Sequence, residues 1–459
     1  MNHKLNHKQI VIIGGGPVAY VAALNLASYG LEVAICDPID ISLKLKDRRV
    51  IALSYASYEY LKQFNIWHNV QNTPIKQIHI SKSGFGATLI NATDLSLDHV
   101  GCTVSYAELL KELYALITQN SLIEILKYDV KNIIAQDDQN ILEYLPTPLS
   151  INNKQDLTNK LIASKLILAD GGNLMINGVQ YDTFNYKQVA IVANLQVTNN
   201  HQYHNHQQRN HKNNTSKKLD MAYERFAYNN TFALLPNENL YTLILTHNHH
   251  VINTAINTFV KSYKNTQELD YTDFLIGYIK TDKFFRRFDK VDIVSQVFAY
   301  PLYKSFILND KNTTIKNAPL FIVGNAAQVL HPISAQGLNL GLRDVKILCR
   351  NLYNAIINKQ TFTANDYYII RNPDRKYAIN FTDQLARFLH NNTTDHFVNN
   401  PNLIVKAHVN EQSHINEPAE ADCITQVCFK NMLLNVGFAG FSNISFIRNQ
   451  LITNLIFGI

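Results

Sequence analysis

The sequence predicts an α/β chain, α+β overall. A Rossmann-like domain with parallel strands is interleaved with a mixed-sheet domain and followed by a helical C-terminal tail. Three observations predict it. The apolar run Gln9-Ile10-Val11-Ile12-Ile13 opens directly into Gly14-Gly15-Gly16-Pro17-Val18-Ala19. A second short run, Leu320-Phe321-Ile322-Val323, opens into Gly324-Asn325-Ala326-Ala327-Gln328-Val329-Leu330-His331-Pro332. Between the two lie alternating runs such as Tyr241-Thr242-Leu243-Ile244-Leu245, the period-two pattern of half-buried strands.

In the first element each small residue has a task. Gly14 permits the tight turn, Gly16 lets the backbone approach a pyrophosphate, and Ala19 fills the third place of the G-x-G-x-x-G/A fingerprint. A helix is expected from Tyr20 to Tyr29. A second strand, Glu32-Val33-Ala34-Ile35-Cys36, ends at Asp37, 23 positions after Gly14. An acid at that distance can accept the hydroxyls of an adenosine ribose. A lone glycine fingerprint is a weak signal; here strand, helix, second strand and acid agree on a dinucleotide site.

The second element runs strand, small-residue turn, proline, glycine, helix. The helix carries Leu338, Leu342, Val345 and Leu348 on one face. This order brings backbone N–H groups and a helix N-terminus close to a ligand, which favours negative charge there.

Composition fits a large enzyme. A chain of 459 residues can hold two or three domains. Its net charge of +6 is spread without a Lys/Arg block, which argues against a nucleic-acid partner. The five cysteines (Cys36, Cys102, Cys349, Cys423 and Cys428) form no C-x-x-C and read as reduced thiols. Met1 to Lys8 is polar, without the apolar core of a signal peptide, and no apolar run reaches membrane-spanning length. A cytoplasmic protein is expected. The stretch 198–218 carries His201, His204, His206 and His211, but no cysteine or carboxylate to complete a site. It reads as an exposed polar loop, and no metal is expected.

The chain also resembles a known family. The N-terminal fingerprint, Ala169-Asp170-Gly171 after a strand, and the late G-[D/N]-A-A-x-x-x-H-P segment resemble the FAD-dependent aromatic hydroxylases of the p-hydroxybenzoate hydroxylase fold. Asp47-Arg48-Arg49-Val50-Ile51-Ala52-Leu53 is similar to the D-G-R-x-I-A-L segment of the ubiquinone-biosynthesis hydroxylases. Ile78-His79-Ile80-Ser81, Val189 to Asn194, Glu224-Arg225-Phe226 and Leu234-Leu235-Pro236 are similar to successive landmarks of that family. Asn325 and Gln328, where most members have Asp and His, match its 2-octaprenyl-6-methoxyphenol hydroxylase branch. The resemblance runs from about Gln9 to Leu389.

The resemblance implies bound FAD, NAD(P)H as a transient reductant, and oxygen transfer to a polyprenylated phenol by way of a flavin C4a-hydroperoxide. The single dinucleotide fingerprint fits one tightly held cofactor and a reductant without its own domain. The implied cofactor contacts are Gly14, Gly16, Ala19, Asp37, Arg49, Gly324, Asn325, Gln336, Gly337, Leu338 and Asn339. Arg48 competes with Arg49 for the phosphate. Asp170-Gly171 is the element expected to link flavin and reductant, or an ordinary turn. No catalytic base is evident. His331 and Pro332 are candidates, with a structural histidine fixing the turn as the alternative.

The implied organisation assigns 1–74, 101–174 and 301–390 to the FAD domain, and 75–100 and 175–300 to the substrate domain. Residues 391–459 form a polar loop and helical tail. Three roles fit the apolar tail from Met432 to Phe457: a peripheral contact with the inner face of a membrane, a partner helix for other subunits of a biosynthetic complex, or a helix packed on the core. Three functions stay open beside 2-polyprenyl-6-methoxyphenol hydroxylation. These are a sister hydroxylase acting at another ring carbon, a non-catalytic FAD-binding scaffold, and a flavin reductase or prenyl-chain saturase.

Overall fold

The computed structural model describes residues 6–82, 86–135, 139–147, 159–174, 176–198, 219–227, 230–249, 252, 271–308 and 319–391. The histidine-bearing stretch after Thr198 and the tail beyond Asn391 lie outside the described residues.

Two large sheets carry the molecule. In the first, four strands run parallel in the order Ile123–Leu126, Val33–Cys36, Asn6–Ile13 and Asn159–Leu168. The strand Asn159–Leu168 then serves two partners along one edge. Its first half pairs antiparallel with Asn140–Pro146, the middle of a meander begun by Tyr128–Ala135. Its last three residues pair parallel with Leu320–Ile322. Both faces of the parallel part are covered, so Ile10, Val11, Ile12 and Ile35 are wholly buried.

The helix after the first strand runs Pro17–Ser28, three residues earlier than the expected start at Tyr20. Proline at its first position lacks the N–H that would be unsatisfied there, and its φ suits a helix. This helix packs on Gln336–Ile357 at a glycine contact: a Cβ on Gly341 would come within 2.9 Å of Val18 Cγ2.

The second sheet has nine strands. Gln180–Thr198 pairs with Leu240–Asn248 on one side and with Phe298–Leu308 on the other. Asn230–Asn237, Met221–Phe226, Gln77–Lys82 and Gly86–Asn91 follow in order. This sheet runs past the boundary expected at 300/301. Phe298–Leu308 stays paired to its last residue because the 19-residue strand Gln180–Thr198 offers a partner that long. Gln328–Val329 then pairs with Ser305 and Phe306, stitching the late turn of the first domain to the second sheet.

One face of the second sheet packs Val189, Ile191, Leu195, Leu243 and Leu245 against the helix Tyr271–Thr281 and Phe284, Phe285 and Phe288. The opposite face looks toward the first domain. There Ala233, Leu235 and Ile244 pack with Ala52 and Tyr55, and Ala190 and Leu302 with Tyr186 and Ala386 of the helix Ala364–Asn391.

Candidate functional site

Parallel pairing brings the sequence motifs to one edge. Gly14, Asp37, Ala169 and Val323 each follow the last residue of a parallel strand, and backbone bonds continue the ladder into the turns. Gly14 donates to the Cys36 carbonyl at 3.0 Å, Ala169 to Ile13 at 2.8 Å, and Val323 to Leu168 at 3.0 Å. The C-terminal edge of a parallel sheet is where open α/β folds bind ligands.

The glycines hold these turns against each other. Gly14 has φ 121°, and a Cβ there would collide with the Ala169 carbonyl. Gly172 has φ 93°, and its Cβ would meet the Asn325 carbonyl at 3.3 Å. Gly324 has φ 60° and abuts Val18 at 3.3 Å. Gly16 differs: its φ is −102°, and the only atom near a Cβ would be the Tyr106 hydroxyl at 3.7 Å. Internal packing therefore demands Gly14 but not Gly16, whose missing side chain leaves space for a ligand. Ala19 is fully buried in the helix.

Asp37 is buried at the head of this edge. Its Oδ1 accepts the Ile39 N–H at 3.3 Å. Its Oδ2 accepts the Tyr20 hydroxyl at 3.5 Å and pairs with Lys44. Burial and the Asp37 charge push the Tyr20 hydroxyl above its ordinary range, so it stays a donor. Arg49 is exposed. It forms a forked pair with Asp47 (Nη2 to Oδ2 2.6 Å, Nε to Oδ2 2.9 Å) and lies 4.8 Å over the Tyr106 ring. Arg48 is exposed beside it. Tyr106, which sequence reasoning missed, thus stands between Gly16 and Arg49. It is the first residue of the helix Tyr106–Gln119, whose N-cap Ser105 accepts from the Glu108 N–H. The Ser105-Tyr106-Ala107-Glu108 capping pattern was the readable signal.

The late turn is built by polar clamps. Asn325 is exposed, and Gly337, Leu338 and Pro332 are half-buried around the start of the helix Gln336–Ile357. The Asn339 amide takes the Ser54 N–H at 2.9 Å and donates to Ala52 at 3.1 Å and Ala335 at 2.7 Å. Its side chain is fully committed, which leaves the backbone of 336–339 for a ligand. Gln336 is buried.

His331 is buried, and both its nitrogens are engaged. Nδ1 accepts the Ile333 N–H at 3.3 Å, so Nε2 carries the hydrogen toward Gln188 Oε1 at 3.0 Å. Burial lowers its pKa to about 4, against the opposing charge of Asp383. The ring fixes the turn after Pro332 as a neutral group. Asp170 is likewise occupied: its carboxylate accepts Gly172 N–H at 3.0 Å and Leu174 N–H at 2.6 Å, shaping the loop that touches Asn325.

Behind the site lies a charged core with no sequence forecast. Asp344 is wholly buried. It accepts Arg371 Nε at 2.7 Å, Arg375 Nη2 at 3.1 Å and Gln328 Nε2 at 2.8 Å. This ties the Gly324–Gln328 turn to the two long C-terminal helices. No group of His, Cys, Asp and Glu suited to a metal occurs among the described residues.

Comparison with known proteins follows the same lines. The chain is 24% identical over 367 residues to the ubiquinone hydroxylase UbiM of Neisseria meningitidis, covering 76% of this chain and 69% of that protein. It is 23% identical to the ubiquinone hydroxylase UbiL of Rhodospirillum rubrum, over 83% and 82% of the two chains. The chain is thus similar to ubiquinone hydroxylases at 23–24% identity. A third relative, the 3-demethoxyubiquinol 3-hydroxylase of Escherichia coli, is 21% identical over 76% of this chain and 80% of its own. No family model matches the chain. The fold of the chain is similar to that of solved flavin-dependent monooxygenases. The p-nitrophenol 4-monooxygenase PnpA of Pseudomonas putida superposes with a TM-score of 0.60 over 98% of both chains at 13% identity. The flavin-dependent brominase Bmp2 does so at 0.59 and 10% identity, over 98% of this chain and 93% of its own. A fold shared by those two does not by itself fix a reaction.

Proposed function

We propose that the protein is an FAD-dependent aromatic monooxygenase of ubiquinone biosynthesis, which hydroxylates 2-polyprenyl-6-methoxyphenol to the 1,4-benzoquinol with oxygen and NAD(P)H. The observation that carries this reading is the shared edge. The Gly14–Gly16 turn, Asp37 and the Gly324–Asn325 turn emerge together from parallel strands, with an apolar sheet face opposite. Each supports one part of a flavin dinucleotide. Gly16 leaves open space, Asp37 offers acceptors for a ribose, and Arg49 brings an exposed cation for the phosphates. The backbone from Gln336 to Asn339, at a helix N-terminus, favours negative charge on a ring placed there.

When bound, reduced FAD would supply the electrons that activate O2, and O2 would supply the oxygen atom delivered to an electron-rich ring. The chain positions the phenol and excludes water. On the sheet face toward the first domain, register aligns Phe298, Val192, Ile244 and Ala233 in one row. Tyr300 stands in the neighbouring row. These largely apolar side chains face the first domain, where a phenol ring can lie against them. His331 acts through the turn it holds, with both ring nitrogens engaged by Ile333 and Gln188. The polyprenyl tail requires an apolar path from a membrane surface or a partner subunit. No helix among the described residues is long and apolar enough to cross a membrane.

Purification with a noncovalent flavin, identified as FAD by mass, and NAD(P)H oxidation that rises on adding a 2-prenyl-6-methoxyphenol support this function. A flavin-free protein, or oxidation indifferent to the phenol, contradicts it.

A further inference from the structure

Lys44 sits where a dinucleotide is expected to bind. Its ammonium pairs with Asp37 Oδ2 and also donates to the Gly15 carbonyl at 2.9 Å. The two side chains are only 15% and 6% exposed. A Cβ on Gly15 would strike both Asp37 Oδ2 and Lys44 Nζ, so the middle residue of the fingerprint must stay bare for this pair to form. The lysine is delivered by the short helix Ile41–Lys44, which Asp40 caps through the Ser42 N–H at 2.8 Å. With Ile39 N–H and the Tyr20 hydroxyl also on Asp37, the carboxylate expected to accept ribose hydroxyls is already occupied.

We propose that Lys44 is an ion-pair latch over the adenosine half of the site, displaced when the ribose hydroxyls of a bound adenine dinucleotide take Asp37. The inference rests on the FAD reading only for the identity of the dinucleotide. Burial disfavours the Lys44 charge and the Asp37 carboxylate supports it, so the lysine gains its place from the pair. A ligand that takes Asp37 must first break that pair, and its affinity is lowered accordingly. A flavin without adenosine meets no such barrier. The latch therefore sets the preference between flavins.

The test uses the full-length chain stripped of flavin, as wild type, Lys44→Met, Lys44→Gln and Lys44→Arg. Binding of FAD, FMN and ADP is measured by fluorescence and calorimetry, and melting of each ligand-free protein is recorded. Removing the charge is expected to tighten FAD and ADP binding roughly three- to tenfold. FMN affinity should be unchanged, the ligand-free protein should melt earlier, and Lys44→Arg should behave as wild type. Lys44→Gln keeps a hydrogen-bonding side chain and serves if Lys44→Met does not fold. Unchanged or weaker ADP and FAD binding in the uncharged variants overturns the latch. Tighter ADP binding in a chain that takes up no FAD sustains the latch and overturns the FAD reading.

Discussion

The Asn339 side chain reaches across 285 positions of sequence to accept the Ser54 N–H at 2.9 Å. The same amide donates to Ala52 and to Ala335. Ala335 has φ 49° and ψ 35°, a left-handed conformation that costs an alanine roughly 1–2 kcal/mol. One side chain thus holds a strained turn and joins the helix N-terminus to the strand that follows Arg49.

Asn339→Ala frees that turn and leaves the Ser54 N–H without its partner. Its expected cost is roughly 2–4 kcal/mol in urea unfolding, with weakened FAD binding. Ala335→Gly removes the left-handed strain and is expected to stabilise by up to about 1 kcal/mol, since glycine's own entropy offsets part of the gain. A loss of stability in Ala335→Gly would contradict the strained-turn account.

The two fingerprint glycines are expected to separate fold from ligand. Gly14→Ala needs φ 121° and drives a methyl into the Ala169 carbonyl, so it should fail to yield folded protein. Gly16→Ala meets only ordinary contact with Tyr106 at 3.7 Å, so it should fold with near-normal melting. Its methyl fills the ligand's space, and FAD affinity should fall at least about tenfold. Calorimetry and flavin titration on the two variants check this pair of outcomes.

The Asp344 cluster predicts a pH dependence. Burial raises the carboxyl's pKa, but Arg375 and Arg371 overcome it and hold the group below the ordinary carboxylate range. A depressed carboxylate contributes stability above its unfolded pKa near 4, and that contribution is lost as pH falls through the lower folded value. Asp344→Asn should cost roughly 3–5 kcal/mol at pH 7, because two buried guanidinium groups lose their counter-charge. Its unfolding free energy should also vary less with pH below about 4. Denaturant titrations from pH 7 downward test both.

His331 titrates in the opposite chemical sense but shifts stability the same way. Its unfolded pKa is near 6.5 and its folded value about 4. The folded state refuses a proton that the unfolded state accepts, so full stability holds above about pH 6.5 and declines as pH falls toward 4. The loss is of order 3 kcal/mol. Imidazole signals in NMR should show His331 neutral at pH 5. Titration near 6.5 would return it to the proton-transfer candidates.

Much of the site was legible because it is local. The Gly14 turn, the Asp37 strand end and the Gly324 turn are each spelled in a few adjacent residues, and parallel pairing alone brings them together. The clamps were not legible. Asn339 to Ser54, Asp344 to Arg371, and His331 to Gln188 join segments far apart in sequence, and nothing local distinguishes a clamping amide from a ligand contact. Lys44 gave no signal either: a lysine in a polar loop usually reads as solvated, and only the fold turns it onto Asp37. The extent of the second sheet was underestimated because strand pairing, not composition, carries it to Leu308.

The central claim is oxygen transfer to a phenol at a bound flavin. The most direct measurement incubates the purified protein with FAD, NADPH, oxygen-18 gas and a short-tailed 2-prenyl-6-methoxyphenol, and follows products by mass. The account predicts a hydroquinol carrying one labelled oxygen para to the existing hydroxyl, formed only when the phenol is present. Bound FAD and NADPH oxidation with no label in any phenolic product would contradict it.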